Sequence, residues 1–298
     1  MSYTKAIHAA AQGTLTSLAR LKLAPADLTF GGALAKPAQI RAPSFADTKF
    51  QQEQALGDWA EDTLSAAINV ALPQFRAAHY GFNSKTIAGE PGFKEEYTKG
   101  ILDTCDWGKR ADLLLVPAGA GIPDDLTGIE TADTKKIVSD SVGAIEVRSS
   151  RTEALRYIAY QEARKAAGVK GIASTVPNFT VKIEDLMKIY RWIEVFGKPQ
   201  VYAQVFLDVV YAINVLDIFA FIAGAERLRV DVPQRSRKVT IFVPITNGRP
   251  IGKLAEYPKF EVIDRTTANG RHDIYARPIG GRFEVEGPAL LKALEYGA

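Results

Sequence analysis

The stretch SVGAIEVRSSRTEALRYIAYQEARKAAG, residues 141–168, decides the fold. Its first seven residues are apolar and β-branched enough to form a strand buried in a sheet. The remainder predicts a helix, with Ser150 or Thr152 as its N-cap and Gly168 at its end. A buried strand that runs directly into a helix is typical of a mixed α/β protein.

The same kind of pattern continues outward from this stretch in both directions. Upstream, ADLLLVP (111–117) predicts a buried strand ended by proline, and residues 52–71 predict a helix with a continuous apolar stripe. Downstream, residues 169–176 and 201–213 predict strands, with a helix over 183–196 between them. The fold class predicted is α/β, with a central mixed β-sheet flanked by helices.

Three regions differ in character along the chain. Residues 1–45 predict a helical N-terminal segment, residues 46–225 the α/β core, and residues 226–298 a strand-rich C-terminal part packed on the core. From residue 227 onward, thirteen Lys and Arg stand against eight Asp and Glu, an excess of five positive charges. Such a surface is either an ordinary solvated sheet or a contact for a polyanion.

Composition places the 298-residue chain among ordinary globular proteins, with 47% hydrophobic residues, 24% charged residues and a net charge of +3. A single cysteine and an N-terminus without a basic-then-apolar leader predict a cytoplasmic protein. The longest apolar stretch, 201–224, carries two aspartates and further polar residues, so no membrane span is expected. One cysteine and three scattered histidines give little support for a zinc site or a Cys/His nucleophile.

Polar residues at the two central strands form a pattern that suits metal-dependent phosphodiester chemistry. Asp112 opens one strand, and Glu146 lies inside the other, with Arg148 two residues later. Residues i and i+2 of a strand point to the same face, so a neighbouring first strand would place Asp112 beside Glu146 and Arg148. Two carboxylates and a backbone carbonyl suit Mg²⁺, which activates water and stabilises charge on a phosphate.

Two quoted segments resemble a known family. GKRADLLLV followed by AIEVRSS resembles the PD-(D/E)XK nuclease core, and EVRSS with the downstream YAQVFLDVVYAI resembles the AccI family of type II restriction endonucleases. The resemblance covers about residues 50–225. It implies a restriction-endonuclease-like core, Mg²⁺ held by Asp112 and Glu146, double-stranded DNA as substrate, and a homodimer that matches palindromic DNA. A nuclease of DNA repair or recombination and a catalytically inactive DNA-binding relative are the alternatives.

The chain departs from the family pattern at Arg148, which stands where lysine is usual, and at Ala111, where proline is common. Arginine stays protonated, so Arg148 is expected to hold the scissile phosphate; its other possible role is a structural ion pair with Glu146. In the helix 52–71, Glu61 best matches a glutamate that faces the metal in this family. Glu53 is the second match, and a solvated helix face explains Glu61 equally well.

Asp124 or Asp125 is the alternative to Asp112 as the first carboxylate. Asp112 is preferred because PDDLTG, residues 123–128, has the composition of a turn and no apolar strand follows it.

A further set of residues is expected to contact DNA. Hydroxyls and backbone amides near a helix start bind phosphate, although capping explains the serines equally well, and basic side chains of the C-terminal part neutralise phosphates. The set comprises Ser149, Ser150, Arg151, Arg235, Arg237, Lys238, Arg249 and Arg271.

Overall fold

A computed structural model describes residues 2–82, 86–119, 121–171, 174–232, 238–267 and 270–295. The helices are α1 (Tyr3–Arg20), α2 (Thr48–Ala71), α3 (Phe93–Trp107), α4 (Lys135–Asp140), α5 (Ala154–Ala166), α6 (Ile183–Phe196), α7 (Val215–Gly224) and α8 (Gly287–Leu294). The strands are β1 (Phe75–His79), β2 (Leu113–Pro117), β3 (Gly143–Ser149), β4 (Asn178–Lys182), β5 (Gln200–Val205), β6 (Val209–Asn214), β7 (Val230–Asp231), β8 (Thr240–Pro244), β9 (Arg249–Glu256), β10 (Lys259–Thr266), β11 (His272–Ile279) and β12 (Arg282–Val285).

A mixed sheet forms the centre of the molecule. Within the described residues it has seven strands in the order β1-β2-β3-β5-β6-β9-β12. β3 and β5 run parallel, while the other neighbouring strands are antiparallel. Smaller sheets are formed by β4-β8-β7 and by the hairpin β10-β11. The predicted fold class is confirmed, and the C-terminal region contributes β9 and β12 to the central sheet.

Apolar side chains cover both faces of this sheet because successive residues of a strand point to opposite sides. On one face, Ile145 and Val147 of β3 belong to the cluster that includes Trp59 of α2 and Leu290 of α8. On the other face, Ala144 belongs to the cluster built by α1, α6 and α7. Burial on both sides explains why the central strands are nearly continuous apolar runs. A polar residue within such a strand is therefore conspicuous.

The helix predicted over 183–196 is confirmed, whereas the strands predicted around it need correction. The described residues of 169–176 form no strand, and the strand before α6 is β4, which pairs with β8. The strand predicted over 201–213 is two antiparallel strands, β5 and β6. Sequence analysis did not predict α3 or β1, which lie in polar or short segments without clear periodicity.

The helix after β3 begins later than predicted, at Ala154, and neither Ser150 nor Thr152 caps it. Its first amides are satisfied from elsewhere: the Asp208 carboxylate accepts hydrogen bonds from the backbone N–H groups of Ala154 and Leu155, both at 2.7 Å. The segment between β3 and α5 is non-helical, and Arg151 within it lines the pocket described below. Among the helices of the described residues, none has the length and apolarity needed to cross a membrane.

Candidate active site

An open pocket of about 500 Å³ lies where the start of β2 meets the end of β3, next to α2. Its lining includes Glu61 of α2, Asp112 immediately before β2, and Glu146 and Arg148 of β3. The fold thus brings to one place the four side chains that the sequence nominated for catalysis.

The pairing of β2 with β3 positions the two central carboxylates. The strands are antiparallel with Leu113 opposite Ile145, so the beginning of β2 lies against the end of β3. Asp112 Oδ2 accepts a hydrogen bond of 2.6 Å from the backbone N–H of Val147, the residue after Glu146. The Asp112 carboxylate is therefore anchored to the strand that carries Glu146, and both side chains line the same pocket.

Glu146 is 1% exposed, and its two oxygens differ in whether they have partners. Oε1 contacts the ammonium of Lys109 and lies 2.9 Å from Nη2 of Arg148. Oε2 is buried and has no hydrogen-bond partner within the described residues. Because a buried carboxylate oxygen without a partner is costly, the geometry leaves a place for one more cation or donor.

The neighbouring carboxyl groups of Asp112 and Glu61 lie in surroundings that disfavour their ionised forms. Burial and the nearby Glu146 carboxylate raise the pKa of Asp112 above its usual range. Burial and then the Asp112 carboxylate raise the pKa of Glu61. The raised pKa values mean that burial and the neighbouring negative charges disfavour the ionised form of both carboxyl groups.

The donor set fits Mg²⁺, which usually takes one or two carboxylates and keeps several waters. Among the described residues, no group of three or more His, Cys, Asp or Glu side chains is arranged to hold a metal ion. Asp112 and Glu146 offer two carboxylates, and Oε2 of Glu146 is the oxygen with no other partner. Two carboxylates are the number that Mg²⁺ commonly takes from a protein while it keeps several of its waters.

Arg148 is held on several sides. Besides Glu146, its Nη2 lies 3.6 Å from Oδ2 of Asp185, and its guanidinium stands over the Tyr202 ring at 5.6 Å. Burial alone would lower the pKa of Arg148, but the combined attraction of its neighbours, with Glu146 the strongest, outweighs burial and raises the pKa. The ion pair with Glu146 is thus present, and the same side chain also lines the pocket.

Sequence analysis missed three residues at this site: Lys109, Asp185 and Tyr202. Lys109 stands three positions before Asp112, so the segment GKRAD already contained it, and a basic residue so close to a nominated carboxylate was the available signal. Asp185 comes from the first turn of α6, and Tyr202 lies opposite Glu146 on β5. Their proximity depends on how distant segments pack, and no local pattern announces it.

The alternative carboxylates lie in other surroundings. Asp124 Oδ1 pairs with Arg76 at 2.8 Å, and Asp125 Oδ1 accepts a hydrogen bond from the Thr127 amide. Asp125 lines an adjoining pocket of about 280 Å³ that Asp112 also borders. Glu53 lines the main pocket at its exposed rim.

The residues expected to contact DNA are spread over the molecule. Ser149 and Arg151 line the main pocket, while Ser150 Oγ accepts a hydrogen bond of 3.3 Å from the Thr152 amide. Arg235 and Arg237 lie outside the described residues.

The remaining basic candidates lie away from the pocket lining. Lys238 is exposed just before β8, and Arg249 borders a separate pocket that Asp217 shares. Arg271 Nε pairs with Oδ1 of Asp273 at 3.0 Å.

Comparison with known families identifies the chain. A family model described as AccI restriction endonuclease matches residues 19–175 and 173–295, which include the pocket strands and the C-terminal sheet. No curated protein and no solved structure matches the chain. The matched segments cover most of the sequence, and the chain belongs to the AccI restriction endonuclease family.

Proposed function

We propose that this protein is a type II restriction endonuclease that uses Mg²⁺ to hydrolyse phosphodiester bonds at specific sites in double-stranded DNA. Membership of the AccI restriction endonuclease family supports the endonuclease class and DNA as the substrate. The observation that carries the metal dependence is Oε2 of Glu146, a buried carboxylate oxygen without a partner, in the pocket that Asp112 lines. In this proposal the pocket is a PD-(D/E)XK-type site.

Asp112 and Glu146 would hold the Mg²⁺ ion in this proposal. When bound, the ion supplies activation of a water molecule and stabilisation of the charge that develops on the phosphate. Asp112 is already oriented by the Val147 amide, so its carboxylate needs no rearrangement to face the pocket. Glu61 adds a third carboxylate at the pocket wall, where it can accept hydrogen bonds from ordered water.

Arg148 would bind the scissile phosphate. A guanidinium is planar and presents paired donors that match two phosphate oxygens. Asp185 and the Tyr202 ring hold the side chain in place, which limits the entropy lost when the phosphate binds. Arginine does not release a proton at neutral pH, so its contribution is charge stabilisation and orientation.

The hydroxyl and basic side chains below are assigned to contacts with the rest of the duplex because such groups bind phosphates and bases. Ser149 and Arg151 line the pocket and suit the phosphates next to the cleaved bond. Ser150 is assigned to the same phosphate group, and Arg235, Arg237, Lys238, Arg249 and Arg271 to phosphates or bases further away. A homodimer with one pocket per DNA strand follows from a palindromic site, whose two-fold axis coincides with that of the protein.

Cleavage of a supercoiled plasmid tests the proposed site. The wild-type protein is expected to cut with Mg²⁺ and to stop when the metal is chelated, whereas Glu146→Ala and Asp112→Ala are expected to leave the plasmid intact. The matched control is Glu284→Ala, which removes an exposed carboxylate of β12 that pairs with Lys253 of β9, and this variant should cut normally. If both site variants cut at the wild-type rate, the assignment of the pocket is wrong.

Discrete fragments separate a restriction enzyme from a repair or recombination nuclease. Digestion of phage DNA should give a reproducible set of bands, and sequencing of the ends should reveal one recognition site. A smear of lengths, or cleavage confined to branched or damaged DNA, would contradict site-specific restriction.

A further inference from the structure

We propose that Lys109 is a phosphate-binding residue of this site. Its ammonium pairs with Glu146. With a divalent cation held by that carboxylate, Lys109 would bind a non-bridging oxygen of the scissile phosphate. The inference rests on the proposed metal-dependent nuclease function and extends it to a residue that lies outside the strand carrying Glu146 and Arg148.

The backbone before Lys109 is fixed against α6. Gly108 has a φ of 86°, and a β-carbon there would lie 2.1 Å from the backbone nitrogen of Trp192. Only glycine permits this approach, which brings the Lys109 amide within 2.9 Å of the Lys188 carbonyl oxygen, where it donates a hydrogen bond. The chain therefore reaches position 109 at a defined distance from the pocket.

The backbone after Lys109 is fixed as well. Arg110 is 4% exposed and donates hydrogen bonds to the carbonyl oxygens of Ile129 and Leu126, at 2.8 and 2.7 Å. Its guanidinium stands 4.2 Å from the centre of the Tyr80 ring. With both neighbours held, the side chain of Lys109 is directed into the pocket that Asp112 and Glu146 line.

Lys109 and Arg148 share Oε1 of Glu146 but differ in what else holds them. Arg148 has a second carboxylate, Asp185, and the face of Tyr202. Within the described residues, the ion-pair partner of Lys109 is Glu146, and its side chain is 29% exposed to the pocket. If Glu146 turns to another cation, Arg148 keeps its ion pair with Asp185 at 3.6 Å. Lys109 is then left with the longer-range attraction of the Asp112 and Asp185 carboxylates, which form no ion pair with it within the described residues.

Electrostatic repulsion would move the Lys109 ammonium away from a cation held by Glu146. A divalent ion held by the same carboxylate would lie close to the ammonium, and like charges at such distances would repel strongly in a partly buried site. The lysine side chain is flexible and its charge is compact, so it can turn by rotation about its own bonds. A DNA phosphate that enters the pocket is an anion that the Lys109 ammonium can contact directly, and an ammonium is a good partner for it.

Calcium binding without DNA tests the first half of the proposal. Titration calorimetry of Lys109→Met with Ca²⁺ is expected to show binding at least about fivefold tighter than in the wild type, because a competing cation is gone. Lys109→Arg keeps the charge and should bind Ca²⁺ more nearly as the wild type does. Lys99→Met, which removes an exposed lysine that pairs with Glu130 outside the pocket lining, is the matched control and should leave the affinity for Ca²⁺ unchanged.

Single-turnover DNA cleavage with saturating Mg²⁺ tests the second half. Lys109→Met is expected to cleave about a hundredfold more slowly, and Lys109→Arg to recover part of the rate. Unchanged melting temperatures would show that both variants are folded. Wild-type cleavage by Lys109→Met, or weaker Ca²⁺ binding by that variant, would overturn the proposal.

Failure of the proposed function would look different. A wild-type protein that binds no Ca²⁺ and cuts no DNA would refute the metal-dependent nuclease itself and the role of Lys109 with it. A wild-type enzyme that binds and cuts, together with a fully active Lys109→Met, would refute the role of Lys109 alone.

Discussion

Glu146 and Asp273 are two buried carboxylates, each 1% exposed and each next to an arginine, yet their surroundings differ in one decisive respect. Both oxygens of Asp273 are satisfied: Oδ1 accepts from Thr48 Oγ1 at 2.8 Å and pairs with Arg271, and Oδ2 accepts from Gln51 Nε2 at 2.8 Å. One oxygen of Glu146 has no partner within the described residues.

The pKa of Asp273 and the pKa of Asp112, which lies beside Glu146, shift in opposite directions. Hydrogen bonds from Gln51 and Thr48 lower the pKa of Asp273, so its folded environment is built for the ionised form. Around Glu146, by contrast, the pKa of Asp112 is raised by burial and by negative neighbours. Asp273, whose two oxygens both have partners, joins the β10-β11 hairpin to α2. Glu146, which has one oxygen without a partner, indicates a place where a ligand can bind.

The largest expected effect is on DNA cleavage. Glu146→Gln keeps the size of the side chain and removes its charge, so single-turnover cleavage with Mg²⁺ is expected to fall by about a thousandfold or more. Asp273→Asn should cleave at a rate near that of the wild type at a temperature where it is folded. Added Ca²⁺ should raise the melting temperature of the wild type and of Asp273→Asn but not of Glu146→Gln. Equal losses of activity in the two variants would show that the unpartnered oxygen of Glu146 does not set it apart from Asp273 in function.

Gly108→Ala should produce the largest loss of stability. A β-carbon at this position would overlap the backbone of Trp192, and the positive φ adds strain, so we expect a loss of at least about 3 kcal/mol in the free energy of unfolding. Gly57→Ala is the control, because a β-carbon there in α2 meets no atom within 4 Å and should be neutral or slightly stabilising. Urea unfolding of both variants measures the difference. A tolerated Gly108→Ala would mean that the approach to α6 does not position Lys109.

Asp273→Asn should lower the melting temperature at neutral pH, because the ionised carboxylate holds the hairpin to α2. The pKa of Asp273 is depressed in the folded state, so its contribution is fully present above the unfolded pKa and disappears as pH falls through the folded pKa. The gap between wild type and variant should therefore close in acid.

Thermal unfolding at pH 7 and at about pH 3 tests this prediction, since aspartate titrates between them in unfolded chains. Asp264→Asn, which removes an exposed carboxylate 3.3 Å from His272 on the same hairpin, is the control and should have little effect at either pH. A gap that widened in acid would contradict the assigned role of Asp273.

The smallest expected effect concerns Asp208, a carboxylate that, like Asp273, has both oxygens satisfied. Asp208→Ala removes the acceptor for the first amides of α5 and should cost about 1 kcal/mol. Asp208→Asn retains an acceptor and should lose less. Chemical unfolding measures both variants, and an unchanged stability in Asp208→Ala would show that solvent satisfies these amides equally well.

The sequence alone determined the elements that follow from local periodicity. The two-residue period of a strand placed Glu146 and Arg148 of β3 on one face. The apolar run of residues 111–117 predicted a strand, which the structure shows at Leu113–Pro117, with Asp112 immediately before it. The apolar spacing of α6 gave both of its ends. In each case the hydrophobic pattern lies within one short window, so neighbouring residues are enough to predict which side of the strand or helix is buried.

Only the tertiary structure decided which partners meet these elements. Lys109 reaches Glu146 from 37 positions away, and Asp208 caps a helix that begins 54 positions before it. Arg271, expected at DNA, pairs with Asp273, whose other partners lie on α2. These contacts join segments that are far apart in the chain, and their geometry is set by sheet pairing and core packing, which no single stretch of sequence contains.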